Sequence, residues 1–190
     1  MIIPEAVRQL HLCVAFKGYA VPLMDCISKS NEAIVYVRDN NLTRVSELVV
    51  GLCEEDVFIG ENSRQTEICL LSIDHKLINN FPGGIADCAL FNTDIFCLVE
   101  FKTNAIGRSL KSVEETYETA ISQLENTLML LVDKIKEAHS DLFRIVNDVV
   151  CHIVVAPKFP RNLAMEQNYM TAFAMKWKIE LSFENNHLFS

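Results

Sequence analysis

The sequence predicts an α/β protein with a mixed central sheet flanked by helices. Three observations carry that expectation. Ile85 to Phe91 and Ile95 to Lys102 read as a β-hairpin around Asn92-Thr93-Asp94, Ser112 to Ala138 reads as one long helix, and Val149 to Ala156 is a near-continuous apolar strand. An apolar run of that kind is covered on both faces, and a hairpin followed by a crossover helix and a buried strand makes an α/β sandwich.

The elements follow in chain order. Ile2 to Phe16 has apolar residues at 3, 7, 10 and 14, a helical spacing, and Pro22 interrupts what comes next. Ala33 to Val37 reads as a strand. Leu42 to Cys53 is predicted to be a helix, because Leu42, Val45, Leu48, Val49 and Leu52 recur at three- and four-residue spacing and Asn41 can cap its start. Asp56 to Gly60 and Glu67 to Ile73 read as strands. The stretch from Asp74 to Gly84 carries Asn79-Asn80-Phe81-Pro82-Gly83-Gly84, a dense set of turn residues. In the long helix, Tyr117, Ile121, Leu124, Leu128, Leu131 and Ile135 form one apolar stripe. Pro157 stops the buried strand. Asn162 to Lys176 reads as a helix, and Lys178 to Phe183 alternates like a strand. The core order is helix, three-strand meander, helix, strand.

A chain of 190 residues with 50% hydrophobic content buries roughly 70% of its unfolded surface and suits a single domain. Residues 1–40 read as an N-terminal extension, 42–156 as the core and 157–190 as a C-terminal helix and strand. The net charge of −8 excludes a broad cationic surface for non-specific nucleic-acid binding, so any such function must rest on a local site. The seven cysteines have no C-x-x-C spacing and mostly lie in apolar runs, as in Ile68-Cys69-Leu70-Leu71. They read as buried free thiols in a reducing, cytoplasmic setting. Met1 to Leu10 lacks a signal-peptide core, and no apolar run approaches the ~18 residues of a membrane span, so no membrane partner is expected. The five histidines show no ligand spacing, and Trp177 is isolated.

Asp87, Glu100 and Lys102 are the strongest candidates for chemistry. Side chains alternate along a strand, so Glu100 and Lys102 share a face. Asp87 joins that face if the hairpin loop has an even number of residues. With Asn92-Thr93 as a two-residue loop, Asp87 opposes Leu98, and Cys88 opposes Cys97 on the other face. Two carboxylates can hold Mg²⁺ with sites left for water and phosphate, and a lysine beside them can orient that water or neutralise charge. The main-chain carbonyl of Phe101, between the two strand residues, is a further possible metal ligand. A second acid-x-Lys triplet, Asp74-His75-Lys76, leads into the turn-rich loop. Lys102 instead leads into the long helix, and that context favours the Glu100 triplet. Lys158 and Arg161, just after the buried strand, are placed to meet phosphate, although a solvated loop is the commoner fate of such residues.

Gly84-Ile85-Ala86-Asp87, twelve residues, then Val99-Glu100-Phe101-Lys102 resembles the PD-(D/E)XK nuclease superfamily, the restriction-endonuclease-like fold. The resemblance covers roughly residues 42–156, which makes that stretch a nuclease-like core. It implies an αβββαβ core, Asp87 and Glu100 as ligands of Mg²⁺ (or Mn²⁺), and Lys102 assisting the attacking water. It also implies a metal-binding glutamate on the first helix, for which Glu47 is the candidate with Glu32 behind it. A glutamine on the helix after the lysine would be Gln123. Ala86 replaces the name-giving proline, and Thr127 stands where some members carry a tyrosine.

The function expected is therefore a Mg²⁺-dependent phosphodiester hydrolase acting on nucleic acid, with DNA the expected substrate. A homodimer or a partner protein would supply the basic surface this acidic chain lacks. Two alternatives use the same residues: a catalytically silent binding or assembly protein of the same fold, and a hydrolase or sensor for small phosphorylated ligands.

Overall fold

The computed structural model describes residues 2–49, 51 and 56–189. Its centre is a mixed six-stranded sheet in the order β1-β5-β6-β7-β8-β9, built from β1 (Ile27–Ser30), β5 (Ile68–Ser72), β6 (Cys88–Phe91), β7 (Ile95–Lys102), β8 (Asp148–Val155) and β9 (Glu180–Ser182). The strands from β1 to β7 pair antiparallel, and β7-β8 and β8-β9 pair parallel. A second sheet, in the order β10-β4-β2-β3, comprises β2 (Ile34–Asn40), β3 (Val45–Val49), β4 (Phe58–Glu61) and β10 (Asn186–Leu188).

The helices are α1 (Glu5–Gln9), α2 (Leu12–Ala15), α3 (Leu110–Glu137), α4 (Leu142–Ile145) and α5 (Leu163–Trp177). They cover one face of the large sheet. Leu71, Ala89, Phe91, Phe96, Leu98, Cys151 and Ile153 from the strands share one core with Tyr117, Leu124, Leu128, Leu131 and Ile135 of α3. The small sheet covers the opposite face, where Leu70, Cys88, Leu90, Cys97, Val99 and Val150 pack against Val35, Val37, Phe58 and Phe189. Period-two alternation thus sends successive residues of β6, β7 and β8 into two different cores. These strands carry no polar face, as their apolar runs predict.

The long helix matches its stripe. Ser109 caps α3 by accepting from Ser112 N and closes a capping box, and Lys134 and Lys136 lie in the last turn, where cations favour the helix dipole. Elsewhere the chain departs from local reading. The single helix expected over 2–16 is two short helices, broken at His11 (φ 53°). Ala6, Val7, Leu10, Leu12, Ala15 and Phe16 join the helix-side core, so this segment is part of the packing around the large sheet. The strand expected at 33–37 extends to Asn40, and β1, α4 and β10 carry no clear sequence signal.

The helix expected from Leu42 to Cys53 is not formed. Val45–Val49 is a strand, Leu42 is 94% exposed, and Leu52 and Cys53 lie outside the described residues. The reason is a turn. Asn40, not Asn41, accepts from Leu42 N (3.0 Å) and Thr43 N (3.3 Å), and Arg44 takes the left-handed φ of 56°. The chain then doubles back on β2, with Arg38 opposite Glu47 and Val37 opposite Leu48. A strand-pairing partner outweighs a helical spacing whose first residue, Leu42, is left in solvent.

The β6–β7 register also differs by two residues. Phe91 opposes Phe96 and Cys88 opposes Val99, while Cys97 opposes Leu90, so the expected Cys88–Cys97 pairing does not occur. Asn92 causes the shift, because its side chain accepts from Asp94 N (2.9 Å) and Ile95 N (2.8 Å) and lengthens the turn. The shift is even, so each side chain keeps its face. Six cysteines are described; all are free thiols, and all but Cys13 are buried. No helix among the described residues is long and apolar enough to cross a membrane.

His152 on β8 and His187 on β10 join the two sheets. His152 is 2% exposed, bonds the Glu184 carbonyl through Nδ1 (2.9 Å) and meets His187 Nδ1 through Nε2 (3.4 Å). Burial lowers its pKa from 6.5 to about 4. The unfolded chain therefore takes up this proton before the folded protein does. Stability from the neutral imidazole is complete above pH 6.5 and is lost as the pH falls from there toward 4. The loss should total about 3 kcal/mol. Urea unfolding between pH 4 and 8 checks it: the wild-type curve should fall toward acid relative to that of His152→Gln, and parallel curves would refute it. Taking the difference between the two proteins cancels the titrating groups that do not touch His152, and leaves the His152–His187 pair as the source of the signal.

Candidate functional site

The large sheet's strand ends build a polar cleft of about 330 Å³. Register explains why its residues meet. Ser72 opposes Cys88 and Cys88 opposes Val99, so one step further along the same row Ile73, Asp87 and Glu100 lie side by side on three adjacent strands. Main-chain bonds hold the row at its end, with Ile73 N (2.9 Å) and Asp74 N (3.3 Å) both donating to the Asp87 carbonyl. The shorter loop expected from sequence would have put Leu98 there. The observed one sets Asp87 beside Glu100.

Asp87 Oδ2 accepts from the Phe101 main-chain N–H at 2.6 Å. Glu100 is 1% exposed, and one of its oxygens takes the Lys102 ammonium at 2.6 Å. Its other oxygen, Oε2, is buried with no hydrogen-bond partner. Lys102 also donates to Gln123 Oε1 at 2.6 Å, which ties β7 to α3. Gln123 in turn donates to the Ile85 carbonyl (3.1 Å). Gly84 allows that approach: it has φ 75°, and a Cβ there would fall 3.0 Å from Gln123 Cγ. Asp87 at the head of β6, Glu100 and Lys102 on β7, and Gln123 on α3 are thus brought together.

Burial dominates the electrostatics. Desolvation raises the Asp87 pKa to about 7, against the lowering effect of the Phe101 N–H. It raises that of Glu100 as well, and the neighbouring Asp87 charge adds to the shift. Two adjacent buried carboxylates, only one of which bonds the Lys102 ammonium, make a desolvated place where negative charge is costly. Asp87, Glu100 and the Phe101 carbonyl are the oxygen donors that could take a hard cation here. Among the described residues, no three His, Cys, Asp or Glu side chains form a ready-made cage, so such a cation would complete its shell with water.

Glu47 is not in this cleft. It lies on β3, where its carboxylate binds Arg38 (2.8 Å) and Asn40 (3.1 Å), because the helix expected to carry it is a strand. Glu32 is exposed and lines a different groove. The carboxylates that do line the cleft with Asp87 and Glu100 are Asp39 of β2 and Asp74, together with Arg44 and His75. Asp39 carries a buried oxygen without a partner, and its pKa is raised by desolvation. The only sequence signal for this group was Asp74-His75-Lys76, whose first two residues enter the cleft. Asn41 and Asn104 close one side of it with a 2.6 Å hydrogen bond.

Thr127 has a structural task. Its hydroxyl accepts from Ala86 N (2.6 Å) and donates to the Gln123 carbonyl (2.8 Å), pinning the segment before Asp87 to α3. Thr127→Val keeps the shape and leaves the buried Ala86 N–H unpaired, so it should cost about 1–3 kcal/mol in urea unfolding; a cost below a few tenths would refute this role. Arg161 is not free to meet phosphate. It pairs with the buried Glu166 (2.8 Å) and with Glu184 (3.0 Å), whereas Lys158 is exposed.

No family model, no curated protein and no solved structure matches the chain.

Proposed function

We propose that the protein is a Mg²⁺- or Mn²⁺-dependent phosphodiester hydrolase of PD-(D/E)XK type, with nucleic acid, and DNA first, as substrate. One observation carries the reading: the buried Glu100, whose Oε2 has no partner, lines a cleft shared with Asp87 and Lys102. A buried carboxylate oxygen without a donor is costly, and a divalent cation relieves the cost. The donors fit such an ion, since Asp87, Glu100 and the Phe101 carbonyl are hard oxygens suited to Mg²⁺. When bound, the metal supplies an acidified water and charge stabilisation at phosphorus.

The remaining work belongs to the chain's own residues. Glu100 and Gln123 hold the Lys102 ammonium from two sides, which leaves its third donor for a water or a phosphate oxygen. The Phe101 N–H orients the Asp87 carboxylate before any ligand arrives. Gly84, Ile85 and Thr127 fix the segment on which Asp87 sits.

The test is cleavage of plasmid and of single-stranded DNA with Mg²⁺ or Mn²⁺, run beside Asp87→Ala and Lys102→Ala. Divalent-dependent cleavage that falls roughly 10²–10³-fold in both variants supports the reading. Activity that survives both substitutions, or none from the wild type with any metal or nucleic acid tried, removes it in favour of a silent binding protein.

A further inference from the structure

We infer that His75, oriented by Asp74, donates the proton to the leaving ester oxygen. This rests on the phosphodiester hydrolase reading. His75 lines the same cleft as Asp87, Glu100 and Lys102, and its backbone takes the left-handed conformation (φ 57°) that histidine adopts more readily than most residues.

Its position follows from the sheet. The Asp87 carbonyl accepts from Ile73 N and Asp74 N, so the turn carrying His75 is tied to the backbone of Asp87 itself. Lys102 stands at the end of β7 and His75 just beyond the end of β5, with Asp87 at the head of β6 between them. Two strand spacings separate the flanking positions, about 9–10 Å. In-line displacement puts the attacking and leaving oxygens on opposite sides of phosphorus. Lys102 lies on one flank of the carboxylates and His75 on the other.

Asp74 completes the pair. Its Oδ2 lies 3.4 Å from His75 Nε2, and its Oδ1 accepts from the His75 main-chain N–H at 2.9 Å. The carboxylate meets the imidazole on its Nε2 side, which leaves Nδ1 as the nitrogen for the substrate. The step balances. The water oxygen bonds to phosphorus and gives one proton to solvent. The bond from phosphorus to the leaving oxygen breaks, that oxygen takes the Nδ1 proton, and the imidazole is reprotonated from solvent. His75 is then a catalytic residue and Asp74 a positioning residue.

The experiment compares His75→Asn with wild type on two oligonucleotides in Mn²⁺: one with ordinary ester linkages, and one whose leaving oxygen is replaced by sulfur. Asparagine tolerates the left-handed conformation, so the turn is kept. A thiolate departs without a proton. The variant should lose about 10²-fold or more on the oxygen ester and change little on the sulfur ester. Asp74→Asn should show the same selectivity with a smaller loss. Equal loss on both substrates, or no loss on either, overturns the role of His75 while leaving the hydrolase reading standing. A wild type that cleaves neither substrate fails the hydrolase reading, and the inference falls with it.

Discussion

Glu100→Gln is expected to abolish divalent-dependent cleavage while making the metal-free protein more stable. The two effects have one cause. Burial and the neighbouring Asp87 charge raise the Glu100 pKa, and Oε2 finds no donor. Glutamine fills the same volume without charge, relieving the repulsion and letting the Lys102 contact persist through the amide oxygen. The gain should be about 1–3 kcal/mol in metal-free urea unfolding near neutral pH.

The sign of the pH dependence follows from Asp87. Its folded pKa of about 7 lies above the ordinary 3.8, so the stability tied to its protonated form is complete below pH 3.8 and is lost as the pH rises toward 7. Divalent ion should act in the opposite direction, stabilising wild type by about 2.7 kcal/mol at a concentration one hundred times Kd and leaving Glu100→Gln unmoved. A variant less stable than wild type without metal, or stabilised equally by Mg²⁺, would contradict this account of the cleft.

Arg161→Ala should be strongly destabilising although it lies far from the cleft. Glu166 is 3% exposed, and its carboxylate takes the Arg161 guanidinium (2.8 and 3.0 Å) and the Tyr117 hydroxyl (2.6 Å). Tyr117 is fully buried and touches Phe159 and Phe183. Removing the guanidinium strands a buried carboxylate, at a cost of about 3–5 kcal/mol. In a protein of this size that lowers Tm by roughly 10 °C. Glu166→Gln, which removes the charge and keeps the shape, should cost less. Calorimetry on both variants decides it: a drop of under ~2 °C for Arg161→Ala, or a larger one for Glu166→Gln, would show that the ion pair does not hold the Glu166 carboxylate that joins α5 to Tyr117 of α3.

Parity along strands carries far more information than exact register, and the candidate site demonstrates why. Asp87, Glu100 and Lys102 could be assigned one face from the period-two alternation and an even loop, and an even error of two residues left that assignment intact. Gln123 could be placed at the edge of the apolar stripe, because a helix of 28 residues with strong amphipathicity has one rotational setting against the sheet. Glu47 could not be placed. Its segment has a helical spacing, and only pairing with β2 makes it a strand and turns the glutamate toward Arg38.

Sequence pattern alone settles the α/β class, the long helix, the doubly buried strands and the face shared by Glu100 and Lys102, which Asp87 joins because the hairpin turn is even. Each of these follows from periodicity or composition within a short window. Tertiary structure alone decided that a four-stranded sheet covers the second face, that residues 6–16 belong to the core, and that Asp39, Asp74 and His75 join the cleft. It also decided that His152 meets His187. These pairings join residues 13 to 35 or more positions apart, and their free energy comes from partners that no local window contains.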